Sequence, residues 1–155
     1  MIGTLRRNSL FVDLDDDELH VVERQSELRR YESGEIVFSP GEEGLALYII
    51  VEGEVVITRT DGEDAGREIA RFVGDDSFGE LDLLLDSTRN ATARAVTPTR
   101  AVMFPRAGVR FREICDRYPD AFARVLFRLI GVVASRLRST NTLITQNDVW
   151  VRELR

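Results

Sequence analysis

Residues 77–93 read SFGELDLLLDSTRNATA, and this segment interrupts a series of short strand-like runs. Gly79 allows the main chain to approach another group closely, and about two turns of helix follow it. The free N–H groups at the start of such a helix favour an anion. Arg89 returns toward the same place with a guanidinium that matches a phosphate, and Glu80 can accept hydrogen bonds from sugar hydroxyls. Together these residue types indicate a site for a sugar phosphate.

The chain on both sides of this segment, residues 27–104, predicts a roll of short strands. Runs rich in Val, Ile, Tyr and Phe alternate with turn dipeptides such as Ser33-Gly34 and Asp61-Gly62. The predicted strands are Leu28–Tyr31, Ile36–Phe38, Ala46–Val51, Val55–Thr60, Glu68–Phe72, Thr92–Val96 and Arg100–Phe104. Many short strands with regular turns are typical of a β-sandwich or closed roll.

Helices are predicted at both ends of a single domain that occupies residues 1–155. Residues 1–26 hold an acidic run at 15–18 and then apolar residues at helical spacing, which indicates a capped helix.

The C-terminal part, residues 105–155, is also predicted to be helical. Pro105 suits the start of one helix and Pro119 the start of a second. The second helix has an apolar face between Phe122 and Leu137 that is wide enough to cover the roll and meet a partner helix. The tail after residue 140 predicts a short extra helix or a partner-binding end.

Composition excludes several classes of protein. The chain has a net charge of -6 and lacks an apolar run of about 18 residues, so we expect neither a membrane span nor nucleic-acid binding. Its first residues lack the features of a signal peptide, and its one cysteine, Cys115, fits a reducing cytoplasm. Residues 105–140 are basic, with 8 Arg against 3 acidic residues. This stretch is either a solvated helix face or a docking surface for an acidic partner.

Catalysis and metal binding are not expected. His20 is the only histidine, whereas metal enzymes built on a β-roll need a cluster of His ligands. Triad chemistry would have to use that same residue, and no Ser or Cys has a supporting motif. We therefore predict no catalytic residue and no metal site.

Segment 77–93 resembles the phosphate-binding cassette of cyclic-nucleotide-binding domains. The family pattern runs Phe-Gly-Glu-Leu-Ala-Leu, a short loop, Arg, a small residue and Ala-Thr. The residues that match in type are Phe78, Gly79, Glu80, Leu81, Leu83, Arg89, Ala91 and Thr92, and the spacing from Glu80 to Arg89 also agrees. Upstream, Gly41, Gly44 and Gly53 fit the glycines of the family's roll. The resemblance covers roughly residues 8–140 and implies a mainly β fold. That fold is a double-stranded β-helix, or jelly roll, with N-terminal helices, a short cassette helix and C-terminal helices.

The same resemblance implies a ligand site for a cyclic mononucleotide, with cAMP favoured over cGMP. The implied ligand-binding residues are Phe78, Gly79, Glu80, Leu81, Asp82, Arg89, Asn90 and Ala91. Glu80 would bind the ribose 2′-hydroxyl and Arg89 the phosphate oxygens. Backbone N–H groups of Gly79, Asp82 and Asn90 would complete the cradle, and the last helix would cover the base.

Asp82 departs from the family pattern, which has Ala or Gly at this position. A carboxylate that points to solvent would matter little there. A carboxylate that points inward would repel a bound phosphate. At a separation of about 4 Å the cost is about 1 kcal/mol in water and about 4 kcal/mol at an effective dielectric near 20. This carboxylate could also pair with Arg89 and mimic the phosphate.

Two functions therefore remain open. The first is a stand-alone cyclic-nucleotide sensor that signals to a protein partner through its C-terminal helices, with a homodimer through residues 119–140 as one form. The second is a degenerate β-roll interaction module that binds no nucleotide. Catabolite-activator transcription factors carry a helix-turn-helix after the long helix, and too few residues follow Thr140 for one, so DNA is not an expected partner. The opening Met1 and the tail favour a whole protein over a fragment.

Overall fold

The structure is a computed structural model that describes residues 1–63 and 65–153, with residues 140–153 described as helix backbone only. Two helices come first, α1 (Ile2–Arg7) and α2 (Asp16–Arg24). Asp15 caps α2 through a capping box with Glu18, as the acidic run predicts. The N-terminal region is thus two short helices joined by turns.

Two four-stranded antiparallel sheets form the roll, and the predicted jelly-roll fold is confirmed. The strands are β1 (Glu27–Tyr31), β2 (Ile36–Phe38), β3 (Leu47–Glu52), β4 (Val55–Thr58), β5 (Glu68–Phe72), β6 (Ser77–Phe78), β7 (Thr92–Ala95) and β8 (Thr99–Phe104). Their order is β1-β8-β3-β6 in one sheet and β2-β7-β4-β5 in the other. β6 is the strand that the sequence prediction missed, since two residues are too few to show an alternating pattern.

Strand β3 shows how the sequence builds the interior. Because successive side chains of a strand point to opposite faces, Tyr48 and Ile50 enter the core between the sheets, while Leu47 and Ile49 lie under the helices. All four are buried, so the continuous apolar run of β3 reflects a strand covered on both sides.

Three helices follow or interrupt the strands: α3 (Glu80–Leu85), α4 (Phe111–Arg117) and α5 (Pro119–Glu153). α5 packs Phe122, Val125 and Leu129 against Phe104 of the first sheet, as its apolar face predicts. Its backbone continues as one helix to Glu153, whereas the sequence predicts a separate short helix or a partner-binding end after residue 140. The side chains of that tail lie outside the described residues.

Pro105 does not begin a helix, contrary to the sequence prediction. It follows a cis peptide bond, and residues 105–110 form a loop held by a hydrogen bond from the Arg106 N–H to the Gln25 carbonyl. α4 therefore begins only at Phe111. This loop forms part of the rim of a cavity.

None of the helices in the described part of the chain is long and apolar enough to cross a bilayer. Among the same residues, no group of three or more His, Cys, Asp or Glu side chains is placed to hold a metal ion.

Candidate functional site

Gly79 joins β6 to α3 in a conformation that favours glycine. Its φ is 81°, in the left-handed region. A Cβ at this position would lie 2.9 Å from Nη1 of Arg89, so only a residue without a side chain lets the guanidinium rest on the main chain here. The Gly79 carbonyl accepts a hydrogen bond of 2.8 Å from that nitrogen.

The guanidinium of Arg89 is the buried cation of the site, with 3% of the residue exposed. Nη1 donates to Gly79 and, at 3.1 Å, to Oδ2 of Asp82, while Nη2 donates to the carbonyl of Ala46. The ring of Phe38 lies beneath it, 4.1 Å from Cζ to the ring centroid. A guanidinium has five N–H donors, and Nε has no hydrogen-bond partner among the described residues. A buried donor without a partner is costly, so the site retains capacity for an acceptor.

Main-chain hydrogen bonds fix where Arg89 enters the site. Its N–H donates to the carbonyl of Glu42 at 2.7 Å, and its carbonyl accepts from the N–H of Gly41 at 2.8 Å. The cassette and the loop before β3 are thus joined by the backbone of Arg89 as well as by its side chain.

Asp82 points inward, the second of the two orientations considered from the sequence. Its carboxylate pairs with Arg89 and accepts a hydrogen bond from Oγ of Ser87 at 3.3 Å. Gly44 makes room for it, because a Cβ on Gly44 would lie 2.3 Å from the Asp82 Cβ.

Glu80 lies beside this pair but has a different partner. It is 1% exposed, and Oε1 forms an ion pair with Nη1 of Arg136 on α5. Burial raises the pKa of the Glu80 carboxyl, and the charges of Arg136 and Arg89 oppose that rise. Arg136 also donates to the carbonyl of Ser77 and lies over the ring of Phe72. The C-terminal helix is therefore fastened to the cassette at Glu80.

A cavity of about 650 Å³ opens next to Arg89. Phe38, Tyr48 and Met103 form its inner wall, and burial raises the pKa of the Tyr48 phenol. The loops 42–46 and 105–110 and the first residues of α4 form its rim, together with Leu83 and Asp86 of the cassette. Glu80 is not part of its lining, and its carboxylate is paired with Arg136.

The other predicted site residues are scattered around the cassette. The ring of Phe78 lies in the roll core, stacked on Tyr48 with centroids 5.3 Å apart. Leu81 and Asn90 are exposed, and Ala91 is buried. The structure thus brings together Gly79, Asp82 and Arg89, with Glu80 beside them, and leaves the side chains of Phe78, Leu81 and Asn90 outside this cluster.

Sequence reasoning missed Arg136 and the carbonyl of Ala46. A buried glutamate needs a cation, and the basic C-terminal helix is the obvious source, but the sequence does not say which of its arginines reaches the cassette. Main-chain acceptors such as Ala46 leave no signal in side-chain patterns.

Comparison with known proteins places these features in a family. The sequence model described as "Cyclic nucleotide-binding domain" matches residues 28–118. The chain is 33% identical over 138 residues to the CRP-like cAMP-activated global transcriptional regulator of Mycobacterium tuberculosis, covering 88% of this chain and 58% of that protein. It is 35% identical over 133 residues to the cAMP-dependent protein kinase regulatory subunit of Mycosarcoma maydis, covering 84% and 23%.

Solved structures agree on the fold. The catabolite activator protein of Thermus thermophilus superposes with a TM-score of 0.74 at 28% identity, over 89% of this chain and 62% of that one. A structure described as cAMP-bound PfPKA-R superposes with a TM-score of 0.60 at 30% identity, over 67% and 37%. The chain spans 58% of the length of the Mycobacterium tuberculosis regulator and 7% of lysophospholipase NTE1 of Pyricularia oryzae, to which it is 31% identical over 107 residues.

Proposed function

Since this chain belongs to the cyclic nucleotide-binding domain family, we propose that it is a non-catalytic receptor for a cyclic mononucleotide, with cAMP favoured over cGMP. The observation that carries the proposal is Arg89. It is a buried guanidinium with an unused donor at the edge of a cavity of about 650 Å³, large enough for a small ligand. A buried cation with spare donors is suited to an anion. The names of two relatives state that those proteins respond to cAMP, which supports the choice of base.

In the proposed complex, Arg89 binds the phosphate and Glu80 the ribose 2′-hydroxyl. The N–H groups of Gly79, Asp82 and Asn90 complete the phosphate cradle, as the family resemblance implies. Phe78, Leu81 and Ala91 complete the set of ligand-binding residues that the family resemblance implies. Oε1 of Glu80 already pairs with Arg136, so a hydroxyl that Glu80 binds lies next to the contact that fastens α5.

The ion pair gives a route to a protein partner. Binding that weakens the contact between Glu80 and Arg136 shifts α5 between two arrangements relative to the roll. The partner then recognises the C-terminal helices in one of them. We place this receptor in the cytoplasm, in line with its single free cysteine, Cys115.

A homodimer through residues 119–140 is the second part of this proposal. Phe127, Ile130, Ala134 and Leu137 follow each other at alternating steps of three and four residues, the spacing of a coiled-coil seam. Phe127, Ile130 and Leu137 are 79%, 61% and 60% exposed. A second copy of the chain offers the same seam, so two copies can bury it against each other.

The alternative function, a degenerate module that binds no nucleotide, is favoured by one observation. Both recognition charges already have partners within the chain, Arg89 with Asp82 and Glu80 with Arg136. In this alternative, the internal pairs replace the ligand permanently.

Calorimetric titration with cAMP and cGMP separates the two functions. The wild type should release or absorb heat with at least one nucleotide, and its stability should rise by about 2.7 kcal/mol at a ligand concentration of 100 Kd. Arg89→Ala should lose both effects. Thermal unfolding of the ligand-free variant establishes that it folds. Arg89→Lys is a more conservative variant, because it keeps the positive charge but loses the bidentate guanidinium. A wild type that neither binds nor gains stability would refute the receptor and support the alternative.

Sedimentation of the wild type and of Phe127→Ser tests the dimer. The substitution should shift the population toward monomer. Val12→Ser is the matched control, because Val12 is also an exposed apolar residue (47%) but lies outside α5. A wild type that is monomeric throughout, or equal shifts for both variants, would contradict the proposed seam.

A further inference from the structure

The carboxylate of Asp82 occupies Nη1 of Arg89, the residue that would bind the phosphate of the proposed ligand. We propose that Asp82 is a tethered counter-anion that competes with the ligand for Arg89 and makes the site select singly charged cyclic phosphates over doubly charged phosphomonoesters. This inference rests on the proposed function, because it concerns the specificity of the same site.

The geometry of the pair supports competition. Oδ2 of Asp82 is 3.1 Å from Nη1 of Arg89, and the two side chains are 15% and 2% exposed. The other hydrogen bonds of the guanidinium go to main-chain carbonyls, which are neutral and fixed by the fold. Asp82 therefore supplies the negative charge nearest to Arg89 that a ligand could displace.

Two neighbours hold the carboxylate in this position. The hydroxyl of Ser87 donates to Oδ1, and Gly44 leaves the space that the Asp82 Cβ fills. Because the Cβ of Asp82 is fixed in that space, its carboxylate remains near the guanidinium even when a ligand takes its place at Nη1.

Charge then sets the selectivity. Repulsion between Asp82 and a ligand is proportional to the ligand's charge. A cyclic phosphodiester carries one negative charge, whereas a phosphomonoester at neutral pH carries about -1.5 to -2. Asp82 thus penalises a monoester up to twice as strongly in free energy. Removing its charge should help 5′-AMP more than cAMP.

The test is the affinity of Asp82→Asn for cAMP and 5′-AMP, measured by calorimetric titration beside the wild type. We expect cAMP to bind about tenfold more tightly to the variant and 5′-AMP up to about a hundredfold more tightly, so that the preference for cAMP narrows. Asp82→Ala, which restores the residue type of the family pattern, provides a second variant in case the asparagine disturbs folding.

Asp86→Asn is the matched control. Asp86 lies in the same segment, lines the cavity and does not pair with Arg89, and asparagine tolerates its left-handed backbone (φ 51°). It should change both affinities less than Asp82→Asn does. Three outcomes would overturn the role of Asp82 while leaving the receptor intact. Asp82→Asn could gain equal affinity for cAMP and 5′-AMP, gain no affinity, or gain no more affinity than Asp86→Asn. Failure of the wild type and every variant to bind either nucleotide would overturn the receptor itself and this inference with it.

Discussion

Replacing Arg136 with methionine tests whether the C-terminal helix is fastened to the cassette by charge. The substitution keeps an unbranched apolar stem but removes the guanidinium that pairs with Glu80. That carboxylate is 1% exposed, so the variant leaves a buried glutamate without its ion pair.

The size of the effect follows from burial. Breaking a fully buried ion pair by removing one partner costs about 3 to 5 kcal/mol. Here Glu80 is buried, but the side chain of Arg136 is 42% exposed, so water already screens part of the interaction. We therefore expect a loss of about 2 kcal/mol, which for a domain of this size lowers Tm by about 4 to 8 °C.

The pH dependence gives the sharper readout. The pKa of Glu80 is already raised by burial, and loss of Arg136 raises it further. A carboxyl whose pKa is higher in the folded state destabilises the fold as pH rises above its unfolded pKa, and protonation at lower pH removes that cost. The difference in unfolding free energy between the wild type and Arg136→Met should therefore narrow as the pH falls from about 7 to about 5.

Urea unfolding at both pH values measures that difference, and Arg128→Met is the matched control from the same helix. Arg128 pairs with Asp13, and its hydrogen bond lowers the pKa of that carboxyl, so Asp13 stays ionised across the same pH range. The difference in unfolding free energy between the wild type and Arg128→Met should be the same at the two pH values. A difference for Arg136→Met that is equally large at the two pH values would refute the view that an ionised, buried Glu80 depends on Arg136.

Three further substitutions test the local packing. Gly44→Ala should lower the free energy of unfolding in urea by about 1 to 3 kcal/mol. Its Cβ would overlap the Asp82 Cβ at 2.3 Å and approach the Ser87 carbonyl at 2.8 Å. An unchanged free energy would mean that the cassette can move away from the loop. Gly131→Ala should gain up to about 1 kcal/mol in the same assay, because nothing lies near its Cβ and alanine favours helix; a loss there would contradict the open space on α5. Asp15→Ala should cost about 1 kcal/mol by removing the capping box of α2, and Tm unchanged from the wild type would contradict that cap.

The sequence was informative wherever local pattern and turn chemistry decide the structure. The alternating and continuous apolar runs predicted the strands around the core, and the position of Gly79 predicted the turn into α3. The prediction failed at Pro105, which lies in a loop that the Arg106 N–H joins to the Gln25 carbonyl. It also missed the partner of Glu80, because that partner lies on α5, far along the chain, and only the packed helix brings it near. Asp82 was identified from sequence as the decisive departure, yet its direction depended on the space left by Gly44.

The two internal pairs differ in what their displacement can do. Asp82 and Arg89 both belong to the cassette, so a ligand phosphate that replaces Asp82 changes charge within one element. Glu80 and Arg136 join the cassette to α5, so a group that competes for Glu80 acts on one of the contacts that hold the C-terminal helix. A ligand shifts a conformational equilibrium only by the difference in its affinity for the two states. In the proposed receptor, the phosphate therefore supplies affinity and the ribose hydroxyl supplies the signal.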